Sequence, residues 1–516
     1  MHVEPDGAWI AEPGAASSCT LAVMALPEIA PLLALPEKTW RTFVAHLQQI
    51  GVTQARVGPV VQAVSSLHPV LRGGARAHHL RKLQDPAGYA MRMFLFGDPV
   101  TEAQAREALG DRLGTLLEVG FLRRLPSGDI VSPFVLGLLD DLVIVSDDLS
   151  EGGDAVMGFG DTTVEACRAV VSEGLTGAAL DLGCGSGTVS LALADGASRV
   201  VATDINPRAG ELTRFNALLN GFRSIDVRQG DLFAPVAGET FDLVVAQPPF
   251  VAQAAGSAHA TFLHGGLRGD EIALSLLRQV MAHLAPGGRA VLRVDWPDLG
   301  DGSLEGRLRD ALGEEGDLLV LRAPAAGLEE HATAYAAGQH PALGAAFERE
   351  VGARLRHFEE QGIVGVVPTM TIVQKSGRAV GRTDVLDVRP LDAVPVTSQR
   401  IDSLLRARSL AEDSAALLSA RLRVPEGTVF AQEQVGPGAE VESTLSARFS
   451  EAALVPPMAI TPQILFVVTF IHEAPDLRTG LVRLAENQET SFEQILEHVL
   501  PVATRALLAG LLEAVD

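Results

Sequence analysis

The sequence predicts an α/β fold: a seven-stranded, mainly parallel sheet, flanked by an N-terminal helical and winged-helix-like domain and a C-terminal α+β domain. Strand-like and helix-like stretches alternate from about residue 162 to residue 375, which is typical of parallel strands joined by crossover helices. Two short helical patterns and a hairpin precede this region, and a mixture of helices and strands follows it. Hydrophobic residues make up 47% and charged residues 20% of the chain, so we expect a folded globular protein.

The length of 516 residues suggests about three domains, at roughly 150 residues each. We expect residues 1–150 to form the N-terminal domain, 151–376 the sheet domain, 377–398 a linker rich in Gly, Asp, Pro and Val, and 399–516 the C-terminal domain. The C-terminal domain carries no motif that indicates its role, and the sequence does not predict the oligomeric state.

The N-terminal domain begins with a helical pattern over residues 36–70. Thr101 is suited to cap a short helix, and a second helix is expected over residues 112–119. Strand-like runs follow at 130–134 and 142–145. This order is similar to a winged helix, and two interpretations remain open: a module that binds nucleic acid, or a lid that positions a substrate.

The sheet domain contains seven strand-like runs with helical patterns between them. The predicted strands are Ala178–Leu182, Arg199–Asp204, Asp226–Gln229, Phe241–Ala246, Arg289–Asp295, Leu318–Arg322 and Gly365–Val373. The predicted helices are Pro207–Leu219, Asp270–His283, Ser303–Glu315 and an additional helical stretch, Glu329–Glu360. For the C-terminal domain we expect helices at Arg400–Arg421 and Phe492–Val515, and strands at Thr428–Gln434, Glu440–Phe449 and Ile464–His472.

The formal net charge of −23 would repel a nucleic acid, which makes it a disfavoured partner. A local basic cluster leaves that partner open, although a solvated helix face explains such a cluster equally simply and no aromatic side chains for base stacking lie within it. The cluster comprises Arg72, Arg76, His78, His79, Arg81 and Lys82.

The cysteines Cys19, Cys167 and Cys184 are odd in number and far apart, so neither a disulfide framework nor a zinc site is predicted. The N-terminus lacks the basic segment of a signal peptide, and no apolar run reaches the roughly 20 residues of a membrane helix. We therefore expect a cytoplasmic protein with no metal site and no membrane partner.

The motif with the clearest chemistry is a glycine turn after the first predicted strand. Asp181 lies in that strand, and Gly183-Cys184-Gly185-Ser186-Gly187 follows it. Glycines allow positive φ and close approach of a ligand to the backbone, and the helix that follows offers unpaired N–H groups. Alone, such a turn is equally consistent with a nicotinamide-cofactor loop or a plain strand-to-helix turn.

Two acidic residues at the ends of the next strands strengthen the motif. Asp204, followed by Ile205, ends the second strand and is placed to accept hydrogen bonds from ribose hydroxyls. Asp231 follows the third strand and suits the exocyclic amine of adenine, with the backbone N–H of Leu232 beside it. Each acid alone could be a helix cap or a turn residue. Together they predict a nucleoside-binding edge at the carboxyl ends of the strands.

Gln247-Pro248-Pro249-Phe250 follows the fourth strand. The prolines fix the backbone and remove two N–H donors, so the neighbouring carbonyls are available as acceptors. Gln247 adds an amide carbonyl and Phe250 a flat face for stacking. Such a site accepts hydrogen bonds from a planar –NH2 group, and we predict Gln247, Pro248 and Phe250 as the catalytic residues. The alternative is a turn that ends the strand, with a core Phe.

With these motifs, residues 155–300 resemble class I methyltransferases that carry an Asn-Pro-Pro-Tyr/Phe motif. That group includes ribosomal-RNA guanine-N2, release-factor glutamine and adenine-N6 methyltransferases. The resemblance implies a Rossmann-like sheet that uses S-adenosyl-L-methionine and releases S-adenosyl-L-homocysteine. It also implies that residues 157–163 close over the methionine end of the cofactor. The cofactor-binding residues expected on this basis are Asp181, Gly183, Cys184, Gly185, Gly187, Asp204, Ile205, Asp231, Leu232, Gln247 and Thr163.

Gln247 departs from the motif of the group, which has Asn or Asp at this position. One additional methylene moves the amide, and a displacement near 1 Å costs about a hundredfold in rate. We therefore expect a specialised acceptor, namely a planar nitrogen of a small molecule or peptide, as in natural-product biosynthesis. The alternatives are N-methylation of RNA at guanine N2 or of a glutamine in a translation factor, and a scaffold without activity. An oxygen acceptor and roles for His259 and His264 also remain open.

Overall fold

The computed structural model describes residues 26–64, 69–149, 154–170, 177–253, 264–340, 343–435, 442–451 and 453–515. These residues fall into two compact units. The first takes in the described part of Met1–Val320 together with Ala325–Val385, and the second takes in Leu321–Pro324 and the described part of Leu386–Asp516. The four-part division of the chain expected from the sequence stays a prediction.

The first unit begins with helices and two hairpins and continues into alternating strands and helices. Its N-terminal elements are α1 (Ala30–Leu33), α2 (Glu37–Gln49), α3 (Gln54–Gln62), α4 (Pro69–Leu80), α5 (Pro86–Leu95), α6 (Glu102–Leu109), α7 (Arg112–Glu118), β1 (Arg123–Arg124), β2 (Ile130–Val131), β3 (Phe134–Leu139) and β4 (Leu142–Asp147). Then follow α8 (Asp161–Val170), β5 (Ala178–Leu182), α9 (Thr188–Leu193), β6 (Arg199–Asp204), α10 (Pro207–Asn220), β7 (Ile225–Gln229), β8 (Phe241–Ala246), β9 (Val251–Ala252), β10 (His264–Gly266), α11 (Glu271–His283), β11 (Leu284–Asp298), α12 (Leu304–Leu312), β12 (Asp317–Arg322), α13 (Leu328–Gln339), α14 (Ala345–Gln361), β13 (Gly365–Gln374) and β14 (Thr383–Asp387).

The central sheet has the strand order β14-β12-β13-β11-β8-β5-β6-β7. Strands β5, β6, β7, β8 and β11 run parallel, and β13 is antiparallel to β11. The chain moves outward from β5 through β6 to β7 and then returns to β8 on the other side of β5. The strand order therefore reverses between β5 and β8, which is where open α/β sheets bind ligands. The Rossmann-like α/β sheet predicted from the sequence is confirmed.

The strands fold as predicted because their sequences are near-continuous apolar runs, which suit a sheet covered on both faces. Leu243, Val244 and Val245 of β8 are each at most 1% exposed, as are Trp296 of β11 and Leu277 of α11, which belongs to a helix covering the sheet. All seven predicted strands are present. An eighth strand, β14, lies within the range expected to be a linker, where its short and partly polar sequence shows little strand pattern.

The N-terminal elements pack on α10 within the first unit. The Trp40 ring lies 4.8 Å from that of Phe215, centroid to centroid, in an edge-to-face arrangement. Asn216 of α10 accepts a hydrogen bond from Val145 N at 2.8 Å and donates one to Val145 O at 2.8 Å, and Asn220 pairs in the same way with Val143. The side chains of α10 thus continue the hydrogen bonding of the edge strand β4.

The second unit contains α15 (Ser398–Glu412), α16 (Ser414–Ser419), β15 (Arg421–Arg423), β16 (Val429–Val435), β17 (Glu442–Arg448), β18 (Met458–Ala459), α17 (Pro462–His472), α18 (Leu477–Asn487), α19 (Phe492–Leu508) and β19 (Glu513–Val515). The strand predicted at Ile464–His472 is wrong, because this stretch is helical. Its β-branched and aromatic residues suggest a strand, but Thr461 caps a helix by accepting a hydrogen bond from Ile464 N at 3.2 Å, and Pro462 occupies the first turn. Among the described residues, no helix combines the length and the apolar character needed to cross a bilayer.

Candidate functional site

The glycine turn after β5 is shaped by three glycines with positive φ. The φ angles are 79° at Gly183, 53° at Gly185 and 82° at Gly187, a region that other residues rarely adopt. A Cβ atom added to Gly183 or Gly185 would meet no atom within 4 Å, whereas one added to Gly187 would lie 2.8 Å from Cγ2 of Thr213. The first two glycines therefore border open space, and the third allows close packing of α10.

Asp181, near the end of β5, is hydrogen-bonded to α9, the helix that follows the glycine turn. Its Oδ2 atom accepts hydrogen bonds from the backbone N–H of Ser190 at 2.9 Å and from the Ser190 hydroxyl at 2.5 Å. Burial, partly offset by these bonds, raises the pKa of Asp181 to about 6. The structure thus shows a bond from Asp181 to the start of α9, and direct contact of Asp181 with a cofactor stays a prediction.

Cys184 lies inside the turn and is 7% exposed. Its Sγ atom is 3.3 Å from Oγ1 of Thr213, which also donates to the backbone carbonyl of Gly185 at 3.1 Å. Burial raises the pKa of the Cys184 thiol well above its usual value, which disfavours the nucleophilic thiolate. Cys184 therefore packs between the turn and α10, and its predicted contact with a cofactor stays a prediction.

Asp204 joins the end of β6 to the glycine turn. Its Oδ2 atom accepts a hydrogen bond from Gly185 N at 2.9 Å, and Oδ1 accepts one from Asn206 N at 2.8 Å. Burial raises the pKa of Asp204 although these backbone donors lower it. Each carboxylate oxygen retains a further lone pair, so the side chain is positioned to accept additional hydrogen bonds at the edge of the sheet.

The other predicted nucleoside-binding residues lie along the same edge. Because β5, β6 and β7 are parallel neighbours, the turns at Gly183, Asp204 and Asp231 share one side of the sheet. Ile205 is 58% exposed, which is unusual for an isoleucine beside a buried strand, and Asp231 is also exposed. Leu232 has a φ of 43°, a strained value for this residue type, and such values often occur at functional sites.

Gln247 is held by two threonines at the start of α8. The Thr163 hydroxyl donates to Oε1 of Gln247 at 2.8 Å, and Nε2 of Gln247 donates to Oγ1 of Thr162 at 2.5 Å. Both polar atoms of the amide are therefore engaged, which fixes the plane of the side chain. The additional methylene relative to Asn allows the amide to reach α8. We call this set of three residues the amide clamp.

The turn that follows Gln247 is confined by its neighbours. Pro248 is buried, while Phe250 is half-buried and packs against the core beneath the sheet. Gly269 approaches so closely that a Cβ atom there would lie 2.5 Å from the carbonyl oxygen of Phe250. Such contacts hold the backbone carbonyls of the turn in one arrangement. The catalytic roles of Gln247, Pro248 and Phe250 stay predictions.

A buried ion-pair network joins α8, which carries Thr162 and Thr163 of the amide clamp, to β11. Arg293 of β11 pairs with Glu165 of α8 and with Asp295, and both Arg293 and Glu165 are 5% exposed. Extending the β8–β11 register beyond Leu292 and Ala246 places Arg293 beside Gln247. Because an unpaired buried charge is costly, the pair fixes α8 against the sheet and thereby supports the clamp.

Sequence reasoning missed several residues of this site. Thr162, Thr213, Ser190 and Arg293 make the contacts that hold the predicted residues in place. The contacts named here join residues between 9 and 128 positions apart in the chain, and no local motif marks them. Of these four residues, only Thr162 could have been identified from the sequence, because it lies in the segment predicted to close over the cofactor.

Ion pairs with Asp98 involve one arginine of the basic cluster and one arginine of α5. Arg81 pairs with Asp98 at 2.5 Å, and Arg92 of α5 binds the same carboxylate at 2.6 Å. Arg76 is 4% exposed. These ion pairs stabilise the fold, while the side chains of His78, Arg81 and Lys82 remain exposed. His259, considered above as a base or a substrate contact, lies outside the described residues, and only the backbone of His264 is described, in β10.

The part of the chain that forms the central sheet is similar to known methyltransferases. Residues 165–294 match the family model of the methyltransferase small domain. The release factor glutamine methyltransferase of Xylella fastidiosa (strain Temecula1 / ATCC 700964) is 36% identical over 130 residues, which is 22% of this chain and 46% of that protein. The protein of the same name from Deinococcus radiodurans is 34% identical over 128 residues, 22% of this chain and 45% of that protein. The chain spans just under half the length of these relatives.

The matched region includes β5 to β8, the glycine turn, both acidic residues and the Gln247 turn. The Rossmann-like sheet and the family match agree with each other and with the resemblance noted from the motifs. Residues 165–294 therefore match a methyltransferase small domain, in agreement with the methyltransferase group that the motifs resemble.

Proposed function

We propose that this protein is an S-adenosylmethionine-dependent N-methyltransferase that acts on the side-chain amide of a glutamine in a protein or peptide. The observation that carries the proposal is the amide clamp. It fixes a hydrogen-bonding amide at the carboxyl end of β8, beside the edge formed by the glycine turn and Asp204.

The residues at this edge fit S-adenosylmethionine. The open space beside Gly183 and Gly185 would admit the amino-acid part of the cofactor next to the backbone. Asp204 would accept the ribose hydroxyls, and the exposed Ile205 would pack against the adenine face. Asp231 would accept the adenine amine. When bound, the cofactor supplies an electrophilic methyl group on a sulfonium.

The Gln247 turn would bind and orient the acceptor. Oε1 of Gln247 accepts one hydrogen bond from Thr163 and has a second lone pair available. Pro248 and Pro249 offer no N–H groups, so acceptor atoms dominate the turn. An acceptor –NH2 group would donate its hydrogens to these carbonyls, and its lone-pair axis, normal to the amide plane, would face the edge of the sheet. No side chain needs to remove a proton before the attack.

The relatives favour a glutamine acceptor over the acceptors expected first from the sequence. Both are named release factor glutamine methyltransferases, which corresponds to the translation-factor alternative. They give no support to a natural-product scaffold. A net charge of −23 argues against an RNA acceptor.

The experiment that tests the proposal uses the full chain and S-adenosylmethionine with an isotope-labelled methyl group. Unmethylated bacterial release factor and total unmodified ribosomal RNA are offered in separate reactions, and peptide mass spectrometry locates the label. We expect the label on a glutamine side chain of the release factor, with little transfer by Gln247→Ala. Label on RNA alone, or on a protein atom other than an amide nitrogen, would contradict the proposal.

A further inference from the structure

The segment of residues 154–160, which precedes α8, connects the edge of the sheet that carries Asp204 to the amide clamp. At its start, Nδ2 of Asn206 donates a hydrogen bond of 3.0 Å to the carbonyl oxygen of the first residue of the segment. The backbone N–H of Asn206 also donates to Oδ1 of Asp204 at 2.8 Å. At its end, the backbone N–H of Thr163 donates to the carbonyl oxygen of the last residue of the segment at 3.0 Å. The segment therefore borders the proposed cofactor site at both ends.

The hairpin of β3 and β4 packs directly on this segment. A Cβ atom added to Gly137 of β3 would overlap the ring of Phe159, which is 3% exposed. A Cβ atom added to Gly158 would lie 2.8 Å from Oγ of Ser146 in β4. A side chain at either position would therefore push the hairpin and the segment apart. The path of the segment thus depends on the hairpin, which belongs to the N-terminal elements.

Asp147, the last residue of β4, holds the segment with its backbone and its side chain. Its Oδ2 atom accepts a hydrogen bond from the backbone N–H of Val156 at 2.8 Å, and its own backbone N–H donates to the carbonyl oxygen of Val156 at 3.0 Å. The same carboxylate pairs with Arg208, whose Nε donates to Oδ2 at 2.7 Å and whose Nη2 donates to Oδ1 at 2.5 Å. Asp147 is 2% exposed, and a bidentate pair of this kind fixes both distance and orientation.

Arg208 connects this contact to the turn after β6. It lies in the first turn of α10, where its backbone N–H donates to Oδ1 of Asn206 at 3.0 Å. Its Nη1 atom donates to the carbonyl oxygen of Pro27 at 2.9 Å. One arginine thus joins the turn that carries Asp204, the hairpin and the residues before α1. Because a buried carboxylate without its cation is costly, loss of Arg208 should also disturb the bond from Asp147 to the segment.

We propose that Asp147 and Arg208 are positioning residues of the methyl-donor site. They hold residues 154–160 along the edge that carries Asp204, so the affinity for the methyl donor depends on the N-terminal hairpin. The inference rests on the proposed function, because it takes this edge as the binding site of S-adenosylmethionine. It assigns a role in cofactor binding to the hairpin that resembled part of a winged helix in the sequence.

The test measures the affinity of the full chain for S-adenosylhomocysteine by calorimetry in the variants Asp147→Asn and Arg208→Lys, together with thermal unfolding. Asp98→Asn is the matched control. Asp98 is also a buried carboxylate of the N-terminal elements, and its ion pairs are with Arg81 and Arg92. Hydrogen–deuterium exchange of the peptide that contains residues 154–160, measured without ligand, reports on the segment itself.

We expect Asp147→Asn to bind S-adenosylhomocysteine about tenfold more weakly than the wild type. Exchange in residues 154–160 should become faster, because the N–H of Val156 loses its charged acceptor. Arg208→Lys retains a positive charge beside Asp147 and should lose less affinity. Asp98→Asn should lower the unfolding temperature but leave the affinity and the exchange of the segment unchanged.

Wild-type affinity in Asp147→Asn, or an equal loss of affinity in Asp98→Asn, would overturn the inference, because the pair would then act only on stability. If Asp147→Asn does not fold, the comparison of Arg208→Lys with Asp98→Asn decides in the same way: only the former should bind more weakly. A wild type that does not bind S-adenosylhomocysteine would instead refute the proposed function, and this inference with it.

Discussion

Thr163 donates a hydrogen bond of 2.8 Å to Oε1 of Gln247, which joins the first turn of α8 to the turn after β8. Because these two residues are 84 positions apart in the chain, the contact exists only when α8 is seated against the sheet. The contact also explains how this chain accommodates Gln at a position where the motif that it resembles has Asn. The longer side chain reaches the hydroxyls of Thr162 and Thr163, which hold its amide plane.

Replacing Thr163 with Val should reduce methyl transfer more than it affects stability. Val keeps the shape of the side chain but cannot donate to Gln247, so the amide gains rotational freedom. We expect kcat to fall about tenfold to a hundredfold, as for a misplaced catalytic contact. Thr163→Ser, which retains the hydroxyl, should recover most of the activity. Steady-state kinetics that show Thr163→Val within twofold of the wild type would refute the clamp.

Shortening Gln247 to Asn should also impair methyl transfer, although the motif that this chain resembles has Asn at this position. The shorter side chain cannot reach both Thr162 and Thr163 from the same backbone position. We expect kcat to fall at least about tenfold, while the Kd for S-adenosylhomocysteine measured by calorimetry changes little. An Asn variant as active as the wild type would show that the threonines do not position the amide.

Two glycines of the turn should respond differently to replacement by Ala. Both Gly183 and Gly187 have positive φ, so each substitution costs about 1–2 kcal/mol of backbone strain. Only Gly187→Ala adds a contact of 2.8 Å with Thr213, and urea unfolding should show the larger loss of stability for this variant. Gly183→Ala should remain folded but bind S-adenosylhomocysteine more weakly, because its methyl group enters the open space. A larger loss of stability for Gly183→Ala, together with weaker S-adenosylhomocysteine binding by Gly187→Ala, would contradict these two roles.

Asp181 should make the stability of the protein depend on pH. Its native pKa is about 6, against 3.8 for the unfolded chain, so the native state holds the proton more tightly. The stability contribution is therefore fully present below about pH 4 and is lost as the pH rises to about 6, by about 3 kcal/mol. Asp181→Asn has no proton to lose. The free energy of unfolding of the variant relative to the wild type should rise from pH 4 to pH 7, and urea titrations that show a constant difference would contradict the assignment.

The strands, and the positions of Gly183, Asp204 and Asp231 at their carboxyl ends, were predictable because their signals are local. Apolar runs such as that of β8 mark buried parallel strands, and Asp204 immediately follows such a run. The contacts that shape the proposed acceptor site are not local. Arg293 meets Glu165 across 128 residues, and the pairing of Gln247 with Thr162 depends on how α8 docks. The helix α17 was missed because capping by Thr461 outweighs a β-rich composition.

The proposed activity requires that the edge of the sheet with the glycine turn and Asp204 binds the methyl donor. Calorimetric titration of S-adenosylhomocysteine into the wild type, Asp204→Asn and Asp195→Asn tests it. Asp195 is exposed in the turn after α9 and provides the same change of charge away from the site. We predict binding to the wild type and to Asp195→Asn with equal affinity, and a loss of about tenfold to a hundredfold for Asp204→Asn. No binding to the wild type, or undiminished binding to Asp204→Asn, would contradict the account.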